Sequence, residues 1–295
     1  MHMMTKGQKI FRIFNYIFLT LVCLTCMLPI LNILAISLSS PQYVAAGMVN
    51  LIPRGFTLSS YQFAMEGGRF MAAFWVSVQR VILGVSITMF LLVTTAYPLS
   101  KSRQRFATRH IYMAFYITIM IFQGGVIPFY ILIRNLALMD TMWSLVLPGS
   151  VQVFSMVILM NFIRSLPSEL EEAAMIDGAG HFKTLFLVYL PVLKPVLAVV
   201  ALFAFVRHWN AWWDGLMFMN RAENWPLQTY LRHMINHFRD LLREGGGHAH
   251  HLIGTLNEQT GRAAQLFMSL IPTLIIYPFL QKHFTKGLVM GSVKG

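Results

Sequence analysis

The chain has 295 residues, of which 56% are hydrophobic and only 12% are charged, and its formal net charge is +12. Soluble globular domains carry about 25% charged residues, so this composition argues against a soluble domain and favours a membrane protein. Lipid cannot satisfy free backbone groups, so spanning segments must be helices or closed barrels. The long apolar runs of this chain favour helices over the short alternating strands of a barrel.

Six apolar segments reach the length of about 20 residues that a membrane-spanning helix needs. In chain order they cover residues 13–38, 72–99, 111–133, 142–163, 191–219 and 263–284. The predicted fold is therefore an all-α integral membrane protein with one domain of six transmembrane helices over residues 13–285. Residues 1–12 precede this domain, residues 286–295 form a tail, and two larger outer loops are expected at 39–71 and 220–262.

The distribution of Lys and Arg predicts the orientation of these segments. With the N-terminus in the cytoplasm, thirteen of these residues fall on the cytoplasmic side and eight in the longer outer loops. Short cytoplasmic loops of membrane proteins carry such an excess, so both termini are expected in the cytoplasm of a bacterium, with the chain in its inner membrane. The net charge is explained by this topology and gives no reason to expect a nucleic-acid partner.

Two groups of metal-binding residue types are present, and neither predicts a metal site. Cys23 and Cys26 lie within the first apolar segment, where the four converging ligands of a zinc site are missing. The run Gly245–His251 is rich in histidine and is compatible with metal binding, but a flexible loop tip is the simpler explanation. We favour the loop tip.

The segment 165–190, between the fourth and fifth spans, predicts a helix-turn-helix on the cytoplasmic side. Ser168 is an expected N-cap, with Glu171 completing a capping box. Gly178 and Gly180 are expected to end this helix, because glycine tolerates left-handed backbone conformations. A second short helix over 181–188 then leads to Leu190-Pro191.

The same segment carries a family resemblance. Glu172-Ala173-Ala174, Gly178, Val188 and Leu190-Pro191 have the spacing of the signature loop of binding-protein-dependent ABC importer permeases, although many of these have Ile where Val188 stands. The resemblance implies the type I importer fold and a loop that docks in a cleft of a cytoplasmic ATPase subunit. The residues expected to couple to the ATPase are Glu171, Glu172, Ala173, Ala174, Asp177, Gly178, Gly180, Leu190 and Pro191.

Other motifs are similar to the carbohydrate branch of that family. They include Pro53-Arg54-Gly55-Phe56-Thr57, His208-Trp209-Asn210 and Pro226-Leu227-Gln228. The ending from Tyr277 to Gly295 is similar to a narrower group, the LplC- and YtcP-like permeases. This resemblance implies import of an oligosaccharide, with acidic ones such as alginate or aldouronates as expected substrates.

The sequence contains no G-x-x-x-x-G-K-[ST] phosphate-binding loop, so energy is expected from a separate subunit. The resemblance implies a second permease subunit (in this family commonly a different chain), two ABC ATPase subunits that hold ATP and Mg²⁺, and an external solute-binding protein. No cofactor, metal site or catalytic residue is predicted for this chain, whose surface meets lipid and whose cargo is the oligosaccharide.

The fifth span contains an unusual polar run from Arg207 to Asp214. Ionisable groups within a bilayer are costly and mark functional sites. Aromatic rings suit the faces of sugars, and an arginine suits a carboxylate. At helical spacing four of these residues share one face, which we interpret as lining the substrate path. The residues predicted for this path are Arg80, Arg207, His208, Trp209, Asn210, Trp213 and Asp214.

Structural alternatives remain open for these residues. The aromatic residues of the run could form an interfacial belt, with Arg207 and Asp214 as a structural ion pair. Arg80, in the second span, could snorkel towards an interface or pair with Asp214 across helices.

Two other classes of function compete with an importer subunit. A secondary transporter or channel would work in membranes that lack any ATPase subunit. A membrane enzyme would need converging nucleophiles, bases or metal ligands, and the scattered histidines and Asp214, the one acid within a predicted span, supply no such set.

Overall fold

The computed structural model describes residues 5–66, 68–122, 124–244 and 252–291, and these are mostly helical. Within them no strand occurs, and the extended backbone pairs at a single bridge between Ser39 and Phe56. The predicted all-α fold is confirmed. The helices are α1 (Lys6–Ser37), α2 (Pro41–Ala45), α3 (Ser59–Met65), α4 (Arg69–Ser100), α5 (Arg109–Ile121), α6 (Val126–Asn135), α7 (Met142–Ser150), α8 (Val153–Ser165), α9 (Glu169–Ile176), α10 (His181–Lys183), α11 (Leu190–Val192), α12 (Lys194–Asn210), α13 (Trp213–Phe218), α14 (Leu227–Glu244) and α15 (Leu252–Gly291).

The apolar helices differ from the predicted spans in their continuity. Among the described residues, α1 and α4 are each long and apolar enough to cross a membrane, and three bent pairs bring the number to five if each pair is one span. The third and fourth predicted spans are therefore broken rather than single helices, and the fifth, 191–219, is interrupted between α12 and α13. The bends are 114° between α5 and α6, 44° between α7 and α8, and 85° between His181–Val192 and α12.

Local sequence explains two of these breaks. Gly125 has a φ of +85°, which glycine adopts without steric cost, and α6 begins directly after it. Pro148 lies in the last turn of α7, where its ring weakens the helix before α8 begins at Val153.

The last helix and the second outer loop also differ from expectation. The sixth predicted span lies within the 40-residue helix α15. The loop expected at 220–262 contains α14 and the start of α15, so it is largely helical. The histidine-rich run Gly245–His251 lies outside the described residues, as do residues 1–4 and the end of the chain from 292 to 295.

The chain divides into two units, residues 1–70 with 236–271, and residues 71–235 with 272–295. In the first unit, hydrogen bonds fix the turn that follows α1. The Ser37 hydroxyl lies 2.8 Å from the Tyr61 hydroxyl, and the Ser39 hydroxyl accepts the Arg54 N–H at 3.0 Å. The buried serine hydroxyls take the place of water as hydrogen-bond partners, so the polar groups of the turn are satisfied.

The second unit has an apolar core built from α4, α8, the π-helical stretch Thr184–Tyr189 and α12. Leu92, Leu159, Leu193 and Val200 are each no more than 2% exposed there. This core holds α4 and α12 together and thereby positions both polar regions described next.

Candidate translocation cavity and coupling segment

A cavity of about 360 Å³, lined by charged and aromatic side chains, opens where α12 ends and α13 begins. The chain leaves helical geometry at Ala211, which has φ −72° and ψ 127°, and resumes it at Trp213. The cavity is lined by Arg80, Phe129, Ser144, Pro148, Gly149, Arg207, His208, Asn210, Ala211, Trp212, Trp213, Asp214 and Phe218.

Arg80 and Asp214 form a buried, two-pronged ion pair at this cavity. Arg80 Nη1 donates to Asp214 Oδ1 at 3.1 Å, Nη2 pairs with Oδ2, and the Arg80 side chain is only 3% exposed. The same guanidinium donates to the carbonyls of Leu145 and Ala211, each at 3.3 Å. Arg80 therefore ties α4 to α7 and to the α12–α13 break, and its charge is cancelled by Asp214.

Arg207 remains the uncompensated cation of the cavity. Asp214 pairs with Arg80, so the alternative of an Arg207–Asp214 pair is wrong. Arg207 is exposed and forms no ion pair with any residue that the structure describes. Asn210 and Trp213 are also exposed beside it. The break after Asn210, rather than continued helical spacing, brings these residues to one cavity.

His208 lies in a narrow space between two helices. It is 1% exposed, and a Cβ added at Gly84 of α4 would come within 2.6 Å of its ring. A Cβ added at Gly149 of α7 would lie 3.3 Å away. Small residues allow helices this close approach in membranes. Neither ring nitrogen of His208 has a hydrogen-bond partner among the described residues.

Trp209 is not brought to the cavity. Its side chain is 3% exposed, stacks on Phe205 with a centroid distance of 6.0 Å, and meets Phe74 edge-on at 5.9 Å. Its position therefore does not support a place in the substrate path, because the side chain packs between helices. Sequence reasoning instead missed Phe129 and Ser144, which reach the lining from α6 and α7.

The coupling segment begins with α9 and turns at Gly178. Gly178 has a φ of +75° with no atom within 4 Å of an added Cβ, so glycine is needed there for backbone freedom alone. Gly180 has a φ of −72°, so the left-handed conformation expected for it is wrong. The capping box is also wrong, because the Ser168 side chain makes no capping hydrogen bond and Glu171 is engaged elsewhere.

Glu171 is buried against the end of α4. Its Oε1 lies 2.7 Å from Lys101 Nζ, and its Oε2 lies 2.8 Å from Arg105 Nη1. Lys101 Nζ also sits 3.8 Å above the Tyr97 ring and 4.8 Å from that of Tyr189. Burial lowers the pKa of Lys101, and the hydrogen bond to the Glu171 carboxylate opposes this shift.

The opposite side of the coupling segment is exposed. Glu172, Ala173 and Asp177 face outward, as do two large apolar side chains, Ile176 at 86% and Phe182 at 77% exposed. Sequence reasoning missed these two, although apolar residues in a polar connector are a signal of contact. Of the other predicted coupling residues, Ala174 is buried, Leu190 is half-buried, and Gly178, Gly180 and Pro191 are exposed.

Comparison with known proteins now decides the family. The profile of the family described as binding-protein-dependent transport system inner membrane component matches residues 92–289. The chain belongs to this family. This permease is 36% identical over 291 residues to Protein LplC of Bacillus subtilis (strain 168), covering 99% of this chain and 97% of that one.

Two further relatives narrow the class of this permease. The polygalacturonan/rhamnogalacturonan transport system permease protein YtcP of Bacillus subtilis (strain 168) is 34% identical, covering 98% of this chain and 99% of that one. A crystal structure of a bacterial ABC transporter involved in the import of the acidic polysaccharide alginate aligns with a TM-score of 0.84 and 28% identity, covering 96% of this chain and 100% of that one. The permease is therefore a sugar ABC transporter subunit of the binding-protein-dependent type.

Proposed function

We propose that this permease carries an acidic oligosaccharide across the bacterial inner membrane. It works with a second permease subunit, two cytoplasmic ATPase subunits and an external solute-binding protein, and both of its termini face the cytoplasm. The observation that carries the choice of substrate is the charge of the cavity. Arg80 and Asp214 cancel each other, which leaves the exposed Arg207 free to meet an anion.

The chemistry of the lining fits a sugar acid. A guanidinium binds a carboxylate through two parallel hydrogen bonds, which gives both strength and orientation. Trp212 and Trp213 are 38% and 39% exposed at the same cavity and offer flat apolar faces to sugar rings. Two relatives, a polygalacturonan/rhamnogalacturonan transport permease and a transporter that imports the acidic polysaccharide alginate, support the same class for this chain.

Energy is supplied from outside this chain. No phosphate-binding loop occurs in the sequence, so ATP and Mg²⁺ belong to the ATPase subunits. The exposed side of the coupling segment, defined by Glu172, Ala173, Ile176 and Phe182, is the surface on which an ATPase subunit docks. Movement of this surface on ATP binding switches the cavity between the two sides of the membrane by alternating access.

Uptake by the reconstituted complex tests the substrate class. The complex, with its ATPase subunits and solute-binding protein, is placed in liposomes and offered a uronic acid oligosaccharide or its methyl ester of equal length. Arg207→Gln should lower uptake of the acid about tenfold or more, because a hydrogen bond to a charged group contributes about 1.5–3 kcal/mol. Uptake of the ester should change little.

Arg221→Gln is the matched control. Arg221 is an exposed arginine outside the cavity, and its guanidinium lies 3.8 Å from the exposed carboxylate of Glu223. It should leave uptake of both sugars unchanged, since such surface pairs contribute little. Equal uptake of acid and ester by the unsubstituted complex, or unchanged uptake of the acid by Arg207→Gln, refutes the proposed substrate class.

A further inference from the structure

Glu171 faces away from the surface on which an ATPase subunit would dock. Its residue is 5% exposed, and both carboxylate oxygens are directed at cations from the end of α4. Glu172, the next residue and about 100° further round α9, is exposed. Two adjacent glutamates of the coupling segment therefore have different surroundings, and only Glu172 is open to a partner.

The site around Glu171 is built as a closed polar cluster. The Lys101 side chain is 9% exposed and that of Glu171 is 6% exposed. Two buried aromatic rings, those of Tyr97 and Tyr189, enclose the Lys101 ammonium group. The hydroxyl of Tyr189 donates to Glu171 at 3.5 Å. Buried charges that are paired and enclosed in this way resist separation, because separating them leaves an uncompensated charge in a medium of low dielectric constant.

The end of α4 is fixed to its surroundings on the other side as well. Arg164, from the last turn of α8, donates to the carbonyls of Leu99 and Ser100 at 3.0 and 3.4 Å. Arg109 donates to the Lys101 carbonyl at 2.7 Å. These bonds satisfy carbonyls that a helix end leaves without partners. The end of α4 is thereby kept ordered, although Pro98 lies in its last turn.

Two routes lead from the coupling segment towards the cavity. The covalent route runs through Pro191 into α12, but the chain bends by 85° between His181–Val192 and α12. The other route runs through Glu171 and Lys101 into α4, which is one helix from Arg69 to Ser100. Arg80 lies 20 residues before Ser100, a distance of about 30 Å along the axis at 1.5 Å per residue. Arg80 holds Asp214 at the cavity.

We infer that Glu171 is a positioning residue that clamps the coupling segment to α4, so that displacement of the segment moves the Arg80–Asp214 pair at the cavity. This inference rests on the proposed function, because it assumes that an ATPase drives the segment. It assigns Glu171 a role within its own chain, whereas Glu172 and the exposed apolar side chains serve the partner.

A cysteine reporter in the cavity tests this assignment in the whole complex. Cys23 and Cys26, both exposed on α1, are replaced by serine, and Asn210→Cys places one thiol in the cavity lining. The rate of labelling by a soluble thiol reagent is measured with and without ATP and vanadate. In the otherwise unsubstituted complex, ATP trapping should change the labelling rate at least about fivefold, the lower end of typical coupling between sites.

Three variants separate clamping from docking and from folding. Glu171→Gln with Lys101→Met removes both charges of the buried pair, and the Arg105 guanidinium, which also loses its partner, is 40% exposed to water, so no unpaired charge remains buried. This double variant should retain its ATPase subunits and trap ATP, yet lose the change in labelling rate. Lys101→Arg, which keeps a cation beside the Glu171 carboxylate, should retain the change. Glu169→Gln, on the exposed side of α9, is the matched control and should respond normally.

The outcomes distinguish the inference from the proposed function. A normal labelling response in the double neutral variant, or loss of its ATPase subunits, overturns the clamping role and leaves the importer intact as a proposal. Loss of the response in Lys101→Arg, with its ATPase subunits retained, also overturns it. No response to ATP in the unsubstituted complex refutes the proposed function itself, and the inference falls with it.

Discussion

Removing one member of the Arg80–Asp214 pair should destabilise the permease more than removing both. Asp214→Asn leaves the Arg80 guanidinium, whose side chain is 3% exposed, without a countercharge. Arg80→Met leaves the Asp214 carboxylate, which is 23% exposed and open to water in the cavity. The double variant leaves no charge unpaired.

The structure sets the order of these effects. Breaking a buried ion pair costs about 3–5 kcal/mol when the remaining charge is fully buried. Asp214→Asn should lower the free energy of unfolding by about 3 kcal/mol, the low end of this range, because the carbonyls of Leu145 and Ala211 still accept hydrogen bonds from Arg80. Arg80→Met should cost less, since water reaches the carboxylate. The double variant should cost less than Asp214→Asn alone, because it leaves no charge unpaired.

Thermal unfolding of the purified complex, read as Tm for each variant, measures this order. Arg207→Met is the matched control, because it removes an exposed arginine from the same cavity and should leave Tm nearly unchanged while lowering uptake. The structural role of the pair is refuted if Asp214→Asn keeps the original Tm while Arg80→Met abolishes uptake. That result would make Arg80 a ligand of the substrate.

Two further predictions follow from single positions. Gly84→Ala should lower Tm, because the added methyl group overpacks against His208 at a cost of about 1–3 kcal/mol. Gly7→Ala is the control and should leave Tm unchanged, since no atom lies near an added Cβ. Equal Tm values for the two variants would contradict the close packing. Glu172→Lys should uncouple ATP hydrolysis from uptake, because it reverses the charge of an exposed residue on the docking surface. The ratio of sugar imported to ATP hydrolysed in liposomes measures this, and an unchanged ratio would exclude a docking role for Glu172.

The helical class of the fold was predictable because lipid leaves few alternatives for apolar segments of this length. The breaks within three of those segments were not predicted. Hydropathy measures how apolar a stretch of sequence is and carries no information on bends of the helix axis. Residues 111–133 and 142–163 were therefore predicted as continuous helices. Gly125 and Pro148 carried the local signal for two bends, and both were present in the sequence.

Which residues belong to the candidate sites was easier to predict from the sequence than which of them pair with each other. The polar run from Arg207 to Asp214 identified about half of the residues that line the cavity, because charges within an apolar segment are conspicuous. Which arginine pairs with Asp214 depends on helix packing across more than a hundred residues of sequence, and a single sequence leaves both pairings open. The same limit applies to Glu171, whose cations come from the end of a helix far earlier in the chain.

The pairing of Arg80 with Asp214 separates the stability of the helix packing from the charge preference of the cavity. The charge that holds the helices in place cancels internally, so the electrostatic preference of the cavity depends on Arg207. One substitution at that position would make the lining neutral and leave the scaffold untouched. On this scaffold, a change between acidic and neutral sugars therefore needs no redesign of the membrane domain. Laboratory evolution of the substrate range can begin at the Arg207 side chain.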